Sequence, residues 1–489
     1  MKATFDILSE PWIPVVGENE TTGELGLLET LERAHRLRAV QDPSPLVEYS
    51  VYRFLVVFLM DMLRPEDTQA LEELLEEGRF DPDRIRDYVA LCRLEGVSFD
   101  LFDEKRPFLQ TAYRGKWDRK PKPISTLDYS TPKGNNHIHF HHQQERTVYT
   151  PGKAIRMMLT AQIFCVHEVQ DYPSNVNGAP PWFALIQGES LFQTLVLGML
   201  DLDHIGIPFD RPPVLWRNTE EVEAKKLVAQ TSWLFGMLFP ARRVHLIPDD
   251  NGSTVSQVYF SQGMNYQVTN AWTDPHVACR ISDKGRFNWK PSEDESIWRN
   301  LACLIDLKQA PQIVSQYTEL DQPDGALFLT LYGIQTSQAS YLRSQRHDLQ
   351  LPNRLLGNDN ALRYISNYIA RAERLGNALY KSLPSREKEN AHTKYYCPKE
   401  ISVQTMQRFY AECEQLLWKE LEALTQPDVD YTAREGQIKE MQIRSALDCA
   451  DWALGQLNLR GRAMVQIMEA QEKNLQKTIA AIRKRGGKS

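Results

Sequence analysis

The chain has 489 residues, 42% of them hydrophobic and 25% charged, with 57 Lys or Arg against 64 Asp or Glu and a net charge of −7. That length exceeds one ordinary core and predicts two or three domains. The acidic balance excludes a histone-like protein that coats DNA unaided, but not DNA contact through local basic strips, as in a subunit docked within a larger nucleoprotein.

In chain order, Pro11 to Pro14 (Pro-Trp-Ile-Pro) suits an extended or turn conformation, because proline restricts the residue before it. Leu46 to Leu63 places Val51, Phe54, Leu55, Phe58 and Leu59 at helical spacing, which predicts a core-facing helix. Phe54 to Leu63 is the most apolar stretch, but Asp61 interrupts it and it is too short to span a membrane. The acids Glu66, Asp67, Glu72, Glu73, Glu76 and Glu77 read as a solvated helical face rather than a metal site.

From Lys105 to Arg156 there are eleven Lys or Arg against three acids, interleaved with Tyr113, Trp117, Tyr129, Phe140 and Tyr149. A long, basic, aromatic stretch of poor periodicity predicts a functional loop region. Residues 180–350 alternate strand-like runs (Val244 to Ile247, Thr254 to Phe260) with helix-like ones (Leu191 to Leu202, Thr231 to Phe239). Near its end, Gly333 supplies a turn, then Thr336 to Ser340 leads into a short basic helix over Tyr341 to Asp348. A tip carrying Gln338, backed by Arg343 and Arg346, suits hydrogen bonds to base edges with arginines on phosphates.

A boundary falls near Leu351-Pro352-Asn353. Beyond it come four amphipathic stretches: Leu362 to Leu379, Val403 to Leu424, Ile438 to Leu454 and Met464 to Ile482. Single apolar stripes of that length bury one another as a four-helix bundle. The fold class expected is therefore α+β, a large mixed N-terminal domain (1–350) followed by a C-terminal four-helix bundle (351–489).

Chemistry is sparsely signalled. The seven scattered cysteines include no Cys-x-x-Cys pair and read as reduced thiols of a cytoplasmic protein, and the N-terminus has no apolar signal core. No phosphate-binding loop, dinucleotide fingerprint or Gly-x-Ser-x-Gly elbow occurs. His137, His139 and His141 would share one face of a strand, with His142 adjacent, which suits zinc or copper with His167, Glu145 or Glu168 as further ligands. Their spacing fits no hydrolase motif, so imidazoles stacking on bases or donating to phosphate are favoured. A metal-dependent nuclease or phosphodiesterase centred on His137 to His142 stands as the alternative. No metal, cofactor or catalytic residue is otherwise expected.

Five blocks, in order, resemble the CasA family, the large subunits of the type I-E CRISPR Cascade surveillance complex. They are Leu8-Ser9-Glu10-Pro11-Trp12-Ile13-Pro14-Val15, Arg106-Pro107-Phe108-Leu109-Gln110-Thr111, Gln187 to Leu195, Trp272-Thr273-Asp274-Pro275-His276, and Gln338-Ala339-Ser340 followed by Arg346-His347-Asp348. The resemblance implies a non-enzymatic subunit that recognises a protospacer-adjacent motif in duplex DNA and helps open the strands. Guide RNA then reads the sequence by pairing. Its implied partners are that RNA, double-stranded target DNA, other Cascade subunits and the helicase-nuclease effector, with no membrane.

Carried over by residue, Ser337, Gln338 and Ala339 match the family's glutamine wedge. His139, Phe140, His141, Arg146 and Lys153 fall in the loop ordered against RNA and DNA, and Asn175, Asn177 and Gly178 in the motif-reading loop. Lys116, Arg119, Lys120, Arg343 and Arg346 are the expected DNA-backbone contacts. Three departures are visible: Asp171 to Pro181 holds only Gly178, the hairpin Ser261 to Asn265 lacks the lysine some members use, and no zinc cysteine cluster is present.

Overall fold

The computed structural model describes residues 3–131, 147–166, 175–267, 272–292, 296–320, 325–337, 340–383, 397–426, 428–457 and 461–485. The chain forms two compact units, one of Met1–Asp294 with Leu307–Leu351 and the other of Glu295–Asp306 with Pro352–Ser489.

In the first unit, strands β1 (Ile13–Gly17), β2 (Thr22–Leu25) and β3 (Leu37–Val40) form an antiparallel sheet in the order β2-β1-β3. Ile13 and Val15 point inward by the period-2 rule, and Ile13 pairs with Leu25 and Val15 with Val40. Helix α1 (Pro45–Leu63) is buried on every face rather than along one stripe, so Glu48, Arg53 and Asp61 lie inside. Each charge is answered from a distant segment, as buried ions require. Asp61 accepts from Tyr88 Oη at 2.6 Å and pairs with Arg217 at 3.0 Å and Arg64 at 2.9 Å.

Helix α2 (Pro151–Phe164) follows, capped by Thr150, whose side chain accepts from Lys153 N at 3.2 Å, and it packs on α1. Then come β4 (Phe183–Ile186), α3 (Leu191–Gly198), β5 (Arg242–Pro248) and β6 (Val255–Gln262). Both expected strands near 244–260 are present, and the antiparallel register sets Val244 opposite Phe260 and Leu246 opposite Val258. The two-residue strand Lys122–Pro123 joins the other edge of β6. A small hairpin, β7 (Cys279–Ser282) and β8 (Gly285–Asn288), precedes the long strands β9 (Ala326–Ser337) and β10 (Ser340–Pro352).

The expected basic helix over 341–348 is therefore a strand. Strand β9 pairs with β4 on one side, Leu329 opposite Ile186 and Leu331 opposite Ala184, and with β10 on the other. Its second backbone edge needs a hydrogen-bonding partner, and that tertiary demand overrides a local helical preference.

In the second unit, the expected stripes form α4 (Asp359–Lys381), α5 (Lys399–Ala423), α6 (Tyr431–Gln456) and a fourth run. That run is α7 (Arg462–Gln471) and α8 (Lys477–Arg485), joined by one π turn over Glu472–Gln476. Asn358 caps α4 and Asp430 caps α6, each through two backbone N–H groups. Phe409, Cys413, Leu417 and Leu421 recur every four residues and are buried, as are Ile365, Tyr368, Ala372, Leu375 and Leu379. Val403, Met441 and Met468, expected on the buried stripes, are exposed instead. Trp298, from the early segment that joins this unit, is fully buried edge-on to Tyr368. Among the described residues no helix is long and apolar enough to cross a membrane.

Candidate nucleic-acid interface

Hairpin β9–β10 is anchored where it leaves the core. Arg346 Nη1 donates to Glu48 Oε1 at 2.7 Å, Tyr332 Oη donates to the same oxygen at 2.6 Å, and the guanidinium lies 5.9 Å from the Tyr332 ring centroid. Burial pushes the Glu48 carboxyl up, opposed by the Tyr332 hydrogen bond and the Arg346 charge. Asp348 Oδ1 accepts from Thr330 Oγ1 at 2.7 Å and from Arg346 Nε at 3.2 Å, tying the two strands together. On the opposite face, a Cβ at Gly333 would come within 2.6 Å of the Trp182 ring, and His347 meets that ring edge-on.

Arg346 is thus a brace facing two carboxylates, which replaces the expected phosphate contact. Arg343 is exposed, although its Nε donates to Gln335 Oε1 at 2.7 Å. Ser337 ends β9, while the wedge positions Gln338 and Ala339 lie outside the described residues.

The Gly178 loop is tied to the core by its own asparagines. Asn175 Nδ2 donates to the Gln162 and Ile163 carbonyls at 3.0 and 2.9 Å, capping the last turn of α2. Asn177 Nδ2 donates to Asp274 Oδ2 at 2.7 Å. Both amides are buried and engaged, so their expected role in reading bases is corrected to one of positioning. Gly178 closes the tight turn with its N–H on the Asn175 carbonyl, at φ +70° and with open space where a Cβ would stand.

Asp274 belongs to a buried network that explains the Trp272 to His276 block. Arg53 of α1 grips it with two nitrogens at 3.1 and 2.8 Å, and Arg53 Nε donates to the Met237 carbonyl at 2.7 Å. Burial would raise the Asp274 carboxyl, but the Arg53 guanidinium overrides it and holds the carboxyl below its ordinary value. His276 Nε2 lies 2.8 Å from the Gly198 carbonyl and Nδ1 lies 2.9 Å from Tyr49 Oη. A neutral ring protonated on Nε2 satisfies both contacts.

Burial, against the pull of Asp274, pushes the His276 pKa down to about 4 from 6.5. A folded-state value below the unfolded one means that the unfolded chain takes up the proton first. Stability is therefore expected to fall as pH drops from about 6.5 to about 4, at up to about 1.4 kcal/mol per pH unit for this group. His245 and His347, also lowered by burial, act in the same direction. Urea unfolding at pH 7 and pH 5 should show a smaller difference for His276→Gln than for the wild type. Identical differences would mean that His276 does not set this pH dependence.

The basic strip runs along the β5–β6 sheet. Thr111 N donates to the Val244 carbonyl at 2.9 Å, and Gln110 Oε1 accepts from Leu246 N at 2.7 Å. Tyr113 stacks on Tyr259 at 5.0 Å, Trp117 stacks on the same ring at 5.3 Å, and the Arg243 guanidinium lies 4.6 Å from the Trp117 ring centroid. These aromatics hold the strip against the sheet and leave Lys116, Arg119 and Lys120 on its exposed side. Arg156, counted with the strip, is internal, donating to the Trp12 carbonyl and to Glu24, each at 2.7 Å.

Lys153 is exposed on the first turn of α2, its Nζ 4.3 Å from the Tyr149 ring centroid. His139, Phe140, His141 and Arg146, with the rest of the histidine cluster, lie outside the described residues. Among the described residues no group of His, Cys, Asp or Glu comes together as a metal site. One residue that sequence reasoning missed is Lys225, exposed and at φ +64°, whose N–H donates to the Gly263 carbonyl at 2.8 Å. It sets a lysine beside the Ser261 to Asn265 segment that lacks one. That segment is not the expected hairpin, since Asn265–Tyr266 pairs in parallel with Leu227–Val228, and nothing in the spacing of 225 and 263 signals this.

A family model described as CRISPR-associated protein Cse1 matches residues 6–451. The chain is 29% identical over 406 residues to a CRISPR-associated protein CasA/Cse1 of Thermus thermophilus, covering 77% of this chain and 76% of that one. Among solved structures, Cse1 of Acidimicrobium ferrooxidans superposes at a TM-score of 0.76 with 19% identity, covering 99% of both chains. A chain of a CRISPR RNA-guided surveillance complex superposes at 0.75 with 18% identity, covering 97% of this chain and 99% of that one. At such identities the superpositions speak for a shared fold.

Proposed function

This chain belongs to the CRISPR-associated Cse1 family, the CasA-type large subunits of type I-E Cascade, and from that premise we propose that it checks a protospacer-adjacent motif in duplex DNA and parts the strands beside it. The braced hairpin β9–β10 carries this proposal. Parting a base step costs roughly a few kcal/mol of stacking, and a wedge can apply that force only from a rigid support. The contacts of Arg346, Glu48, Tyr332 and Asp348 tie the base of this hairpin to the core of the first unit.

Gln338, flanked by Ser337 and Ala339, acts as the wedge. The backbone around Gly178, held by Asn175 and Asn177, faces the motif, with Lys225 supplying the cation that the Ser261 to Asn265 segment lacks. Lys116, Arg119, Lys120 and Arg343 hold phosphates, and the His139 to Lys153 segment meets guide RNA and motif-proximal DNA. The subunit works with guide RNA and the other Cascade subunits, recruits the helicase-nuclease, and cuts nothing itself. Reconstituting the complex with and without this chain and measuring binding to a randomised motif library tests the reading. Motif preference that is unchanged without the chain would end it.

Replacing Lys116, Arg119 and Lys120 together with alanine should weaken duplex binding across all motifs. The slope of log affinity against log salt should fall by up to about three, near one for each phosphate no longer neutralised. Titrations over a range of salt concentrations measure this, and an unchanged slope would take the strip out of the interface.

A further inference from the structure

The helical unit carries a cleft of about 740 Å3 between α4 and α6, within the range of roughly 300–1,000 Å3 typical of small-ligand sites. Arg363, Arg371 and Arg374 of α4 and Lys439 of α6 line it, against the single carboxylate of Glu435. Glu435 is already taken, 3.3 Å from Arg371, and Arg371 Nε donates to Gln442 Oε1 at 2.5 Å. Burial still holds the Arg371 guanidinium below its ordinary value, with Glu435 opposing only in part, so a further anion would stabilise it. Arg374 and Lys439 meet no carboxylate within ion-pair distance among the described residues.

Two more observations bear on the cleft. Tyr364 lines it but is only 3% exposed, and its Oη is sealed from solvent. Gly436 stands in the wall on α6, where a Cβ would meet nothing within 4 Å. Glycine weakens a helix interior relative to alanine, and no neighbouring side chain requires it there. Its effect is to keep the wall open. Tyr431, half-buried, meets the Tyr364 ring edge-on at 6.0 Å and completes an aromatic side to the cleft.

We infer that this cleft is a nucleotide site. Arg363, Arg374 and Lys439 hold phosphate, and Tyr431 packs against base or sugar. Planar guanidinium groups suit phosphate in a two-pronged grip, and aromatic packing accepts any base. An acidic peptide would be satisfied by the exposed cations alone and would leave Tyr431 idle. The nucleotide is either free or one residue of a strand. The site lies wholly in the helical unit, so its failure would leave the hairpin proposal standing.

The test titrates the full-length protein with ATP, with a short 5′-phosphorylated oligothymidylate and with polyglutamate at one ionic strength. Arg374→Ala should weaken nucleotide binding by about tenfold or more, the worth of one charge-assisted hydrogen bond, and Gly436→Leu should weaken it by filling the open wall. Lys439→Ala should weaken it several-fold without lowering the unfolding midpoint, since Lys439 meets no carboxylate among the described residues. A lysine serving only the fold would not move the affinity. Saturation by ATP identifies a free nucleotide, and binding of the oligonucleotide alone identifies a strand. Absence of both, polyglutamate binding as tightly, or affinities untouched by Arg374→Ala would overturn the inference, and Arg374 is exposed enough that this variant keeps the fold.

Discussion

Arg53→Met is expected to lower folding stability by roughly 3–5 kcal/mol, the range for breaking one side of a buried ion pair. Arg53 and Asp274 are 2% and 0% exposed, and the guanidinium supplies two of the hydrogen bonds on that carboxylate. Without it, Asp274 keeps Asn177 Nδ2 and the His276 N–H but no opposing charge. The Met237 carbonyl and Tyr49 Oη lose a donor as well. Urea unfolding at neutral pH measures the loss, and a change below about 1 kcal/mol would mean that Asp274 is neutral in the folded state.

A second variant separates charge from position. Combining Arg53→Met with Asp274→Leu should recover much of the stability, since apolar replacement of both partners is often neutral. It also leaves Asn177 without its acceptor. If the Gly178 loop reads the motif from that anchor, the double variant should fold well and still discriminate motifs poorly in the assembled complex. Intact discrimination would detach the loop's function from this network.

Gln338→Ala is expected to reduce motif discrimination or strand opening by about 1–3 kcal/mol, the value of one good base contact. The readout is binding of wild-type and variant complexes across a randomised motif library, with fluorescence of an unpaired base reporting opening. Equal profiles would rule out Gln338 as the wedge. Arg346→Ala should reproduce part of the defect at a distance, because it removes the brace from Glu48 and leaves a buried carboxylate without its opposing charge. A loss of stability without a loss of opening would show that the brace serves the fold alone.

The helical unit was the most legible part of the chain. Its stripes repeat every three or four residues, and a pattern carried by near neighbours survives whatever the rest of the chain does. The stripe over Leu362 to Leu379 became one buried face of α4. Only the outliers Val403, Met441 and Met468 depart from it, because a stripe does not say which of its flanking positions a neighbour covers. The strands near Val244 and Thr254 were legible for the same reason at period two. The basic helix expected at Tyr341 to Asp348 failed because its conformation is set by the edge of β9, which no local pattern reports.

The site divides along the same line. Composition located the strip of Lys116, Arg119 and Lys120, because a local excess of cations is visible residue by residue. The engagement of Arg156, Arg346, Asn175 and Asn177 within the fold was not visible, since each is decided by a partner far along the chain: Trp12, Glu48, Gln162 and Asp274. Helix α1 shows the limit most plainly. Its sequence determined a helix with a continuous apolar surface, through spacing and side-chain type. That Glu48, Arg53 and Asp61 could be buried in it was decided only by the tertiary structure, which brings Arg346, Asp274 and Arg217 to meet them. A charge enters a protein interior only with its counter-charge, and that counter-charge is a property of the fold.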